Sequence, residues 1–309
     1  MWFSIAVILI CLIVFERASN YLIEGLGALS NHFGISEAVL GASVAAMGSS
    51  APEFGSSAFS VIEGHPTIGL GTIVGSAVFN VTVIIGGAAL LGKCLIESRV
   101  FYRDGLFYLL TVLIAILSVQ DGVLSQIESI AWAVVFFCYL AWLVYDAKRG
   151  KPVPRETFES MSLRRALIFI SLGVLGIAIA ARYLIIHVAL VTEEWGISQA
   201  AISLVILAIG TSIPDFFTSL QAARKGMGSL AVSNALGSNI FDILAALGIP
   251  FSFAGTTKIE TMVSTSLLVL LVSVGLVLVI LRSNWSVSRK EGMLLLGVYG
   301  VYLAFILLV

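Results

Sequence analysis

Three carboxylates stand inside otherwise apolar stretches of this 309-residue chain: Glu53, Asp215 and Asp242. Ser49, Ser50, Ser76, Asn80, Thr211, Ser212 and Ser238 lie close to them in sequence. On insertion scales a charged side chain at the centre of a bilayer costs about 2.5–3.5 kcal/mol. Three acids together also repel one another and call for a compensating cation. No Lys sits at matching depth, and Arg182 is the only basic candidate. The donor set is all oxygen, with no His or Cys at depth. About six to eight oxygens at ~2.3–2.6 Å suit Ca²⁺, whereas soft metals need thiolate or imidazole. Na⁺ accepts the same oxygens, so one site can serve both ions alternately. Against this stands a reading of the acids as protonated structural hydrogen-bonders.

The spacing adds backbone chemistry. Gly48-Ser-Ser-Ala-Pro-Glu53 and Gly210-Thr-Ser-Ile-Pro-Asp215 each fall in the middle of an apolar stretch. Pro52 and Pro214 lack an N–H and clash with the carbonyl four residues earlier, which belongs to Gly48 or Gly210. Both helices are expected to break there. Freed carbonyls are usable at membrane depth only where they line a cavity. Ser76 with Asn80, and Ser238 with Asp242, are i,i+4 pairs and share a helix face.

These motifs repeat at a constant offset of 162 residues. Gly34-Ile-Ser36 recurs as Gly196-Ile-Ser198, Ser57 as Ser219, Gly64 as Gly226, Gly75-Ser-Ala-Val-Phe-Asn80 as Gly237-Ser-Asn-Ile-Phe-Asp242, and Gly86 as Gly248. Chance similarity between apolar stretches matches Leu with Val, not Gly, Pro and carboxylate at fixed positions. The chain is therefore read as a duplication.

The elements that hold these residues follow from composition. The chain is 59% hydrophobic and 11% charged, with mean hydropathy +1.06. A soluble domain carries about 25% charged residues, so a cytosolic enzyme and a disordered chain are excluded. A net charge of −1 excludes general attraction to nucleic acid. Long apolar runs argue against a barrel. Ten spans are expected, at roughly 2–29, 35–62, 67–91, 105–119, 126–145, 164–191, 197–222, 229–250, 260–281 and 291–309. Fourteen of the 17 Lys and Arg fall in alternate loops, among them Lys93, Arg103, Lys148, Arg165, Arg224 and Arg289. By the positive-inside rule those loops are cytoplasmic and the N-terminus is outside. Residues 1–146 form a first half, 147–163 a short cytoplasmic linker, and 164–309 a second half. A prokaryotic plasma membrane is the expected location, with the first span retained.

Minor signals are read as structural. Cys11, Cys94 and Cys138 have no paired spacing and read as small buried hydrophobes. Trp132, Trp142, Trp195 and Trp285 read as interfacial anchors, and His65 and His187 as interfacial residues. Glu16-Arg17 is either an internal ion pair or the cytoplasmic end of a tilted helix. Asn80-Val-Thr82 and Asn284-Trp-Ser286 lie where glycosylation is not expected.

Five spans separate the copies, so the second enters the membrane in the opposite sense, a pattern of secondary transporters. The fold class expected is an all-α membrane protein of ten transmembrane helices, in two inverted five-helix repeats with helices 2 and 7 broken.

The motif at 48–53 with Gly71-Thr-Ile-Val-Gly-Ser-Ala-Val-Phe-Asn80 resembles the first α-repeat (about 34–92) of the cation/Ca²⁺ exchanger superfamily. The motif at 210–215 with 237–242 is similar to the second (about 196–250). The resemblance implies that Glu53 and Asp215 coordinate Ca²⁺, helped by the main-chain carbonyls of Ser49 and Thr211. It implies one flanking Na⁺ site from Ser50, Ser76 and the Ala46 carbonyl, and another from Ser212, Ser238 and the Ala208 carbonyl. Asn80 and Asp242 complete the middle, and spans 1 and 6 slide together. Plain Na⁺/Ca²⁺ exchangers usually carry Glu where this chain has Asp215. That residue, Asp242 and the Ser-Ala-Pro-Glu form resemble the K⁺-dependent branch, so K⁺ co-transport stays open.

The function expected is secondary active exchange of Na⁺ for Ca²⁺ by alternating access. The transported ions and membrane lipid are its partners, with no cofactor, no catalysis and no obligate protein partner. An H⁺/Ca²⁺ exchanger on the same fold is the alternative, disfavoured by the serine-rich flanks. A channel would need a continuous pore, and a protease a nucleophile–base pair or a matched Asp pair beside a substrate groove. Neither pattern is evident.

Overall fold

The computed structural model describes residues 2–33, 47–91, 94–98, 100–149 and 161–308. Apolar periods build long helices throughout. In chain order they are α1 (Trp2–Phe33), α2 (Ala51–Ile62), α3 (Pro66–Phe79), α4 (Ile85–Leu91), α5 (Leu106–Ser118), α6 (Gln126–Arg149), α7 (Leu163–Trp195), α8 (Gln199–Ile202), α9 (Ala208–Thr211), α10 (Ile213–Arg224), α11 (Gly228–Phe241), α12 (Gly248–Phe251), α13 (Thr261–Asn284) and α14 (Arg289–Leu308). Four wide π turns interrupt them: π1 (Asn80–Ile84), π2 (Val100–Gly105), π3 (Ser203–Leu207) and π4 (Asp242–Leu247).

Among the described residues eight helical stretches are long and apolar enough to cross a membrane. A ninth is a bent pair, Gln199–Thr211 with Ile213–Arg224, meeting at 46°. The chain is thus a multi-pass membrane protein. The expected span 35–62 begins outside the described residues, and its second half is α2. The fourth span starts earlier than expected, at Val100, because π2 adds a turn ahead of α5.

The repeated motifs have matching local structure. α2 and α10, and α3 and α11, start and end 162 residues apart (Ala51 to Ile213, Pro66 to Gly228). Each helical hairpin turns at a left-handed glycine, Gly64 at φ 80° and Gly226 at φ 78°. The closing bonds also match: His65 N–H donates to the Ser60 carbonyl at 2.7 Å, and Met227 N–H to that of Ala222 at 2.9 Å.

Two short antiparallel ladders tie loops together. β1 (Cys94–Leu95) pairs with β4 (Ser286–Val287), and β2 (Val123–Leu124) with β3 (Thr257–Lys258). Each joins a loop of the first half of the sequence to one of the second, an element that apolar periodicity alone does not signal.

The largest apolar cluster links α3, α4, α5, α11 and α13. A second gathers around α1 and α7. Small residues let these two helices approach: a side chain added at Gly173 or Gly176 would strike Ala18, and one at Gly25 would strike Ile170. Close approach of this kind is how helices associate where lipid is as apolar as their side chains.

Three minor expectations change. Trp132 is buried, with Nε1 donating to Ser118 Oγ at 3.2 Å. It is a core residue rather than an interfacial anchor. Cys138 is exposed on α6, unlike the buried Cys11 and Cys94. Arg182 is 61% exposed and its Nε donates to Glu63 Oε1 at 3.1 Å, so it is no counter-charge for the buried acids.

Candidate cation site

The break in each motif follows from its proline. Pro52 and Pro214 occupy the second position of α2 and α10, where a missing N–H costs nothing. Ser50 and Ser212 fall at the corner, with φ,ψ of −88°, 9° and −81°, 1°. The first bonds of the new helices run from Phe54 N–H to the Ser50 carbonyl (3.1 Å) and from Phe216 N–H to that of Ser212 (2.9 Å). Glu53 and Asp215 therefore lie in the first turn of a helix, at the positive end of its dipole. Both corners face α1: a side chain at Gly48 would strike Ile23, and one at Gly210 would strike Leu12.

Glu53 is fully buried. Its Oε1 accepts from Ser76 Oγ at 3.5 Å and from Ser212 Oγ at 3.4 Å, and those two hydroxyls lie 2.6 Å apart. The first motif, the following helix of its own repeat and the second motif thus meet at one carboxylate oxygen. Glu53 Oε2 has no hydrogen-bond partner among the described residues. Thr211 is a further neighbour, and Asp215 and Asp242 are within electrostatic reach of Glu53.

Asp215 is buried beside Ser49, Ser238 and Asn234. Asn234 Nδ2 donates to its Oδ1 at 3.5 Å and to Ser219 Oγ at 3.3 Å. Asp242 opens π4 next to Ser50 and Ser76. Among the described residues neither of its oxygens has a hydrogen-bond partner, nor do Asp215 Oδ2, Asn80 Oδ1, Ser50 Oγ and Ser238 Oγ. A buried cluster of oxygens without partners is costly unless positive charge compensates it.

Of the expected residues, Glu53, Asp215, Asp242, Ser49, Ser50, Ser76, Thr211, Ser212 and Ser238 lie together in one buried region, and Asn80 joins Asn239, three residues ahead of Asp242. Ser76 and Ser212, assigned to opposite flanking sites, touch each other on Glu53. The Ala208 carbonyl accepts from Ser212 N–H at 3.2 Å and from Thr211 Oγ1 at 3.5 Å. Thr211 Oγ1 also donates to the Leu207 carbonyl at 3.1 Å. Ala46 lies outside the described residues. Among the described residues no three His, Cys, Asp or Glu side chains close around a single point. A cation here must draw on hydroxyl, amide and main-chain oxygens as well as carboxylates.

Sequence reasoning missed Asn234, Asn239 and Tyr108. Asn80 Nδ2 donates to Asn239 Oδ1 at 2.9 Å, and Asn239 Nδ2 donates to the Ala77 carbonyl (3.0 Å) and to Tyr108 Oη (2.9 Å). Asn234 and Asn239 align with Thr72 and Ala77 of the first copy, so matching identical residues passes over them. An amide in an apolar helix was the available signal.

The family model described as sodium/calcium exchanger protein matches residues 3–145 and again 165–308, with starts 162 residues apart (165 less 3). The chain is 26% identical over 338 residues to sodium/calcium exchanger MaX1 of Methanosarcina acetivorans, covering 96% of each. It is 38% identical over 144 residues to sodium/potassium/calcium exchanger 4 of Mus musculus, over 44% of this chain and 23% of that protein. A solved structure of the sodium-calcium exchanger NCX_Mj matches with TM-score 0.69 at 26% identity, covering 98% of each chain. With the family model spanning both copies of the motif, the chain belongs to the sodium/calcium exchanger family, whose members are cation/Ca²⁺ antiporters.

Proposed function

We propose that this protein moves Ca²⁺ in one direction against Na⁺ in the other, through a single buried oxygen site that alternates between the two sides of the membrane. The observation that carries the reading is Glu53 joined to Ser76 and Ser212 of opposite repeats, with Asp215 and Asp242 beside it. Such a cluster cannot stay uncompensated in a dry interior. Either one Ca²⁺ or several Na⁺ neutralise it, and the two loads exclude each other.

The flanking hydroxyls support Na⁺ over H⁺ as the counter-ion. A protonated carboxyl needs one acceptor, whereas Ser50 beside Asp242 and Ser238 beside Asp215 offer further oxygens with no hydrogen-bond partner among the described residues. The recurrence of π1 and π4, and of α2 and α10, at the same offset supports two five-helix repeats of opposite orientation. The proposal keeps ten spans, of which the described residues supply eight helical stretches and one bent pair. The pairing of α1 with α7 supports a two-helix block that slides across the rest. The loop charges support an outside N-terminus and a cytoplasmic 147–163 linker, and a plasma membrane is proposed with them. The likeness to a sodium/potassium/calcium exchanger over 144 residues keeps K⁺ co-transport within the proposal.

Ca²⁺ uptake into proteoliposomes loaded with Na⁺ and diluted into Na⁺-free buffer tests this, with the pH gradient collapsed and K⁺ on both sides. Uptake is expected to vanish when choline replaces internal Na⁺. Uptake that ignores Na⁺ and follows a pH gradient would instead establish the proton exchanger.

A further inference from the structure

Asn80 is the first residue of π1, fully buried, and its Oδ1 makes no hydrogen bond among the described residues. The orientation of an amide is decided by its surroundings, and here one neighbour is unambiguous. The Ala77 main-chain carbonyl can only accept. Asn239 must therefore turn its NH₂ toward it, at 3.0 Å. The second hydrogen of that NH₂ goes to Tyr108 Oη at 2.9 Å. With both hydrogens spent, Asn239 can present only Oδ1 to Asn80, and Asn80 must answer with its own NH₂, at 2.9 Å. The one end of Asn80 left over is its carbonyl oxygen. A flipped Asn80 would set two carbonyl oxygens against each other and aim NH₂ hydrogens away from Asn239.

We infer that Asn239 and Tyr108 are positioning residues that lock the Asn80 side-chain oxygen toward the transported cation. The inference rests on the proposed function, with Asn80 taken as the ligand that the family resemblance implies. All three side chains are fully buried, so the bonds are shielded from bulk solvent. Tyr108 comes from α5, outside both copies of the motif. The device is also one-sided: position 77, which aligns with Asn239, is alanine and offers only its carbonyl. A single amide in the second copy thus sets the ligand of the first.

A double-mutant cycle on the apparent KM for Ca²⁺ in proteoliposomes tests this, using Asn80→Ala, Asn239→Leu and the pair. Asn239→Leu should raise KM about tenfold, and the pair should be no worse than Asn80→Ala alone. Tyr108→Phe keeps the ring and removes one acceptor. It should raise KM about threefold in the wild type and not at all in the Asn80→Ala background. If Asn239→Leu does not yield folded protein, the Tyr108→Phe cycle decides alone. A merely structural role would lower the maximal rate or the melting temperature and would multiply with Asn80→Ala, which overturns the inference. An unchanged KM in Asn80→Ala would instead remove Asn80 from the site and defeat the reading beneath it.

Discussion

Glu53 carries the greatest burden of any side chain, because three elements from both repeats converge on it. Its Oε1 is shared by Ser76 and Ser212 while Oε2 makes no bond among the described residues. Glu53→Gln keeps the shape and removes the charge. Ca²⁺ flux should fall at least about a hundredfold, with elution and melting temperature near those of the wild type. Retained flux in folded protein would remove Glu53 from the site. The acids were legible from sequence because carboxylates in apolar stretches have few uses. The Ser76–Ser212 contact was not, since a spacing on one helix says nothing of which neighbouring helix lies opposite. Asn239 escaped for a related reason: its partners, Ala77 and Tyr108, are far away in sequence.

At the scale of elements, the helix breaks and the glycines do the positioning. Proline placement made the corners at Ser50 and Ser212 readable in advance. The π turns at Asn80 and Asp242 were not readable, because a one-residue bulge leaves the apolar pattern of a fully buried helix unchanged. Gly75 shows how close α3 must come to its neighbour. A side chain added there would fall inside contact distance of the Leu204 carbonyl in π3 and 2.7 Å from Ala208 Cβ. Ala208 opens α9, which leads to the second corner. Gly75→Ala should therefore destabilise the protein by about 1–3 kcal/mol, seen as a melting temperature lower by several degrees. An unchanged melting temperature would mean that α3 and π3 do not pack this tightly.

At the scale of the molecule, nine of the ten expected spans came through among the described residues, eight as long helices and one as the bent pair, because hydropathy reports on the bilayer directly. The two loop ladders and the burial of Trp132 did not, since they depend on which loops and helices become neighbours. What the whole assembly adds is coupling. In the proposed mechanism one buried set of oxygens holds either Ca²⁺ or Na⁺, so that each ion is the condition for releasing the other, and α1, which faces both corners and packs on α7, belongs to the element proposed to slide. Mutual exclusion is thus the central claim. It is tested most directly by equilibrium binding of radioactive Ca²⁺ to the purified protein, titrated with Na⁺ at constant ionic strength and pH. The account predicts that Na⁺ displaces Ca²⁺ completely and more steeply than a one-for-one competitor. Ca²⁺ binding that persists unchanged through the Na⁺ titration would contradict it.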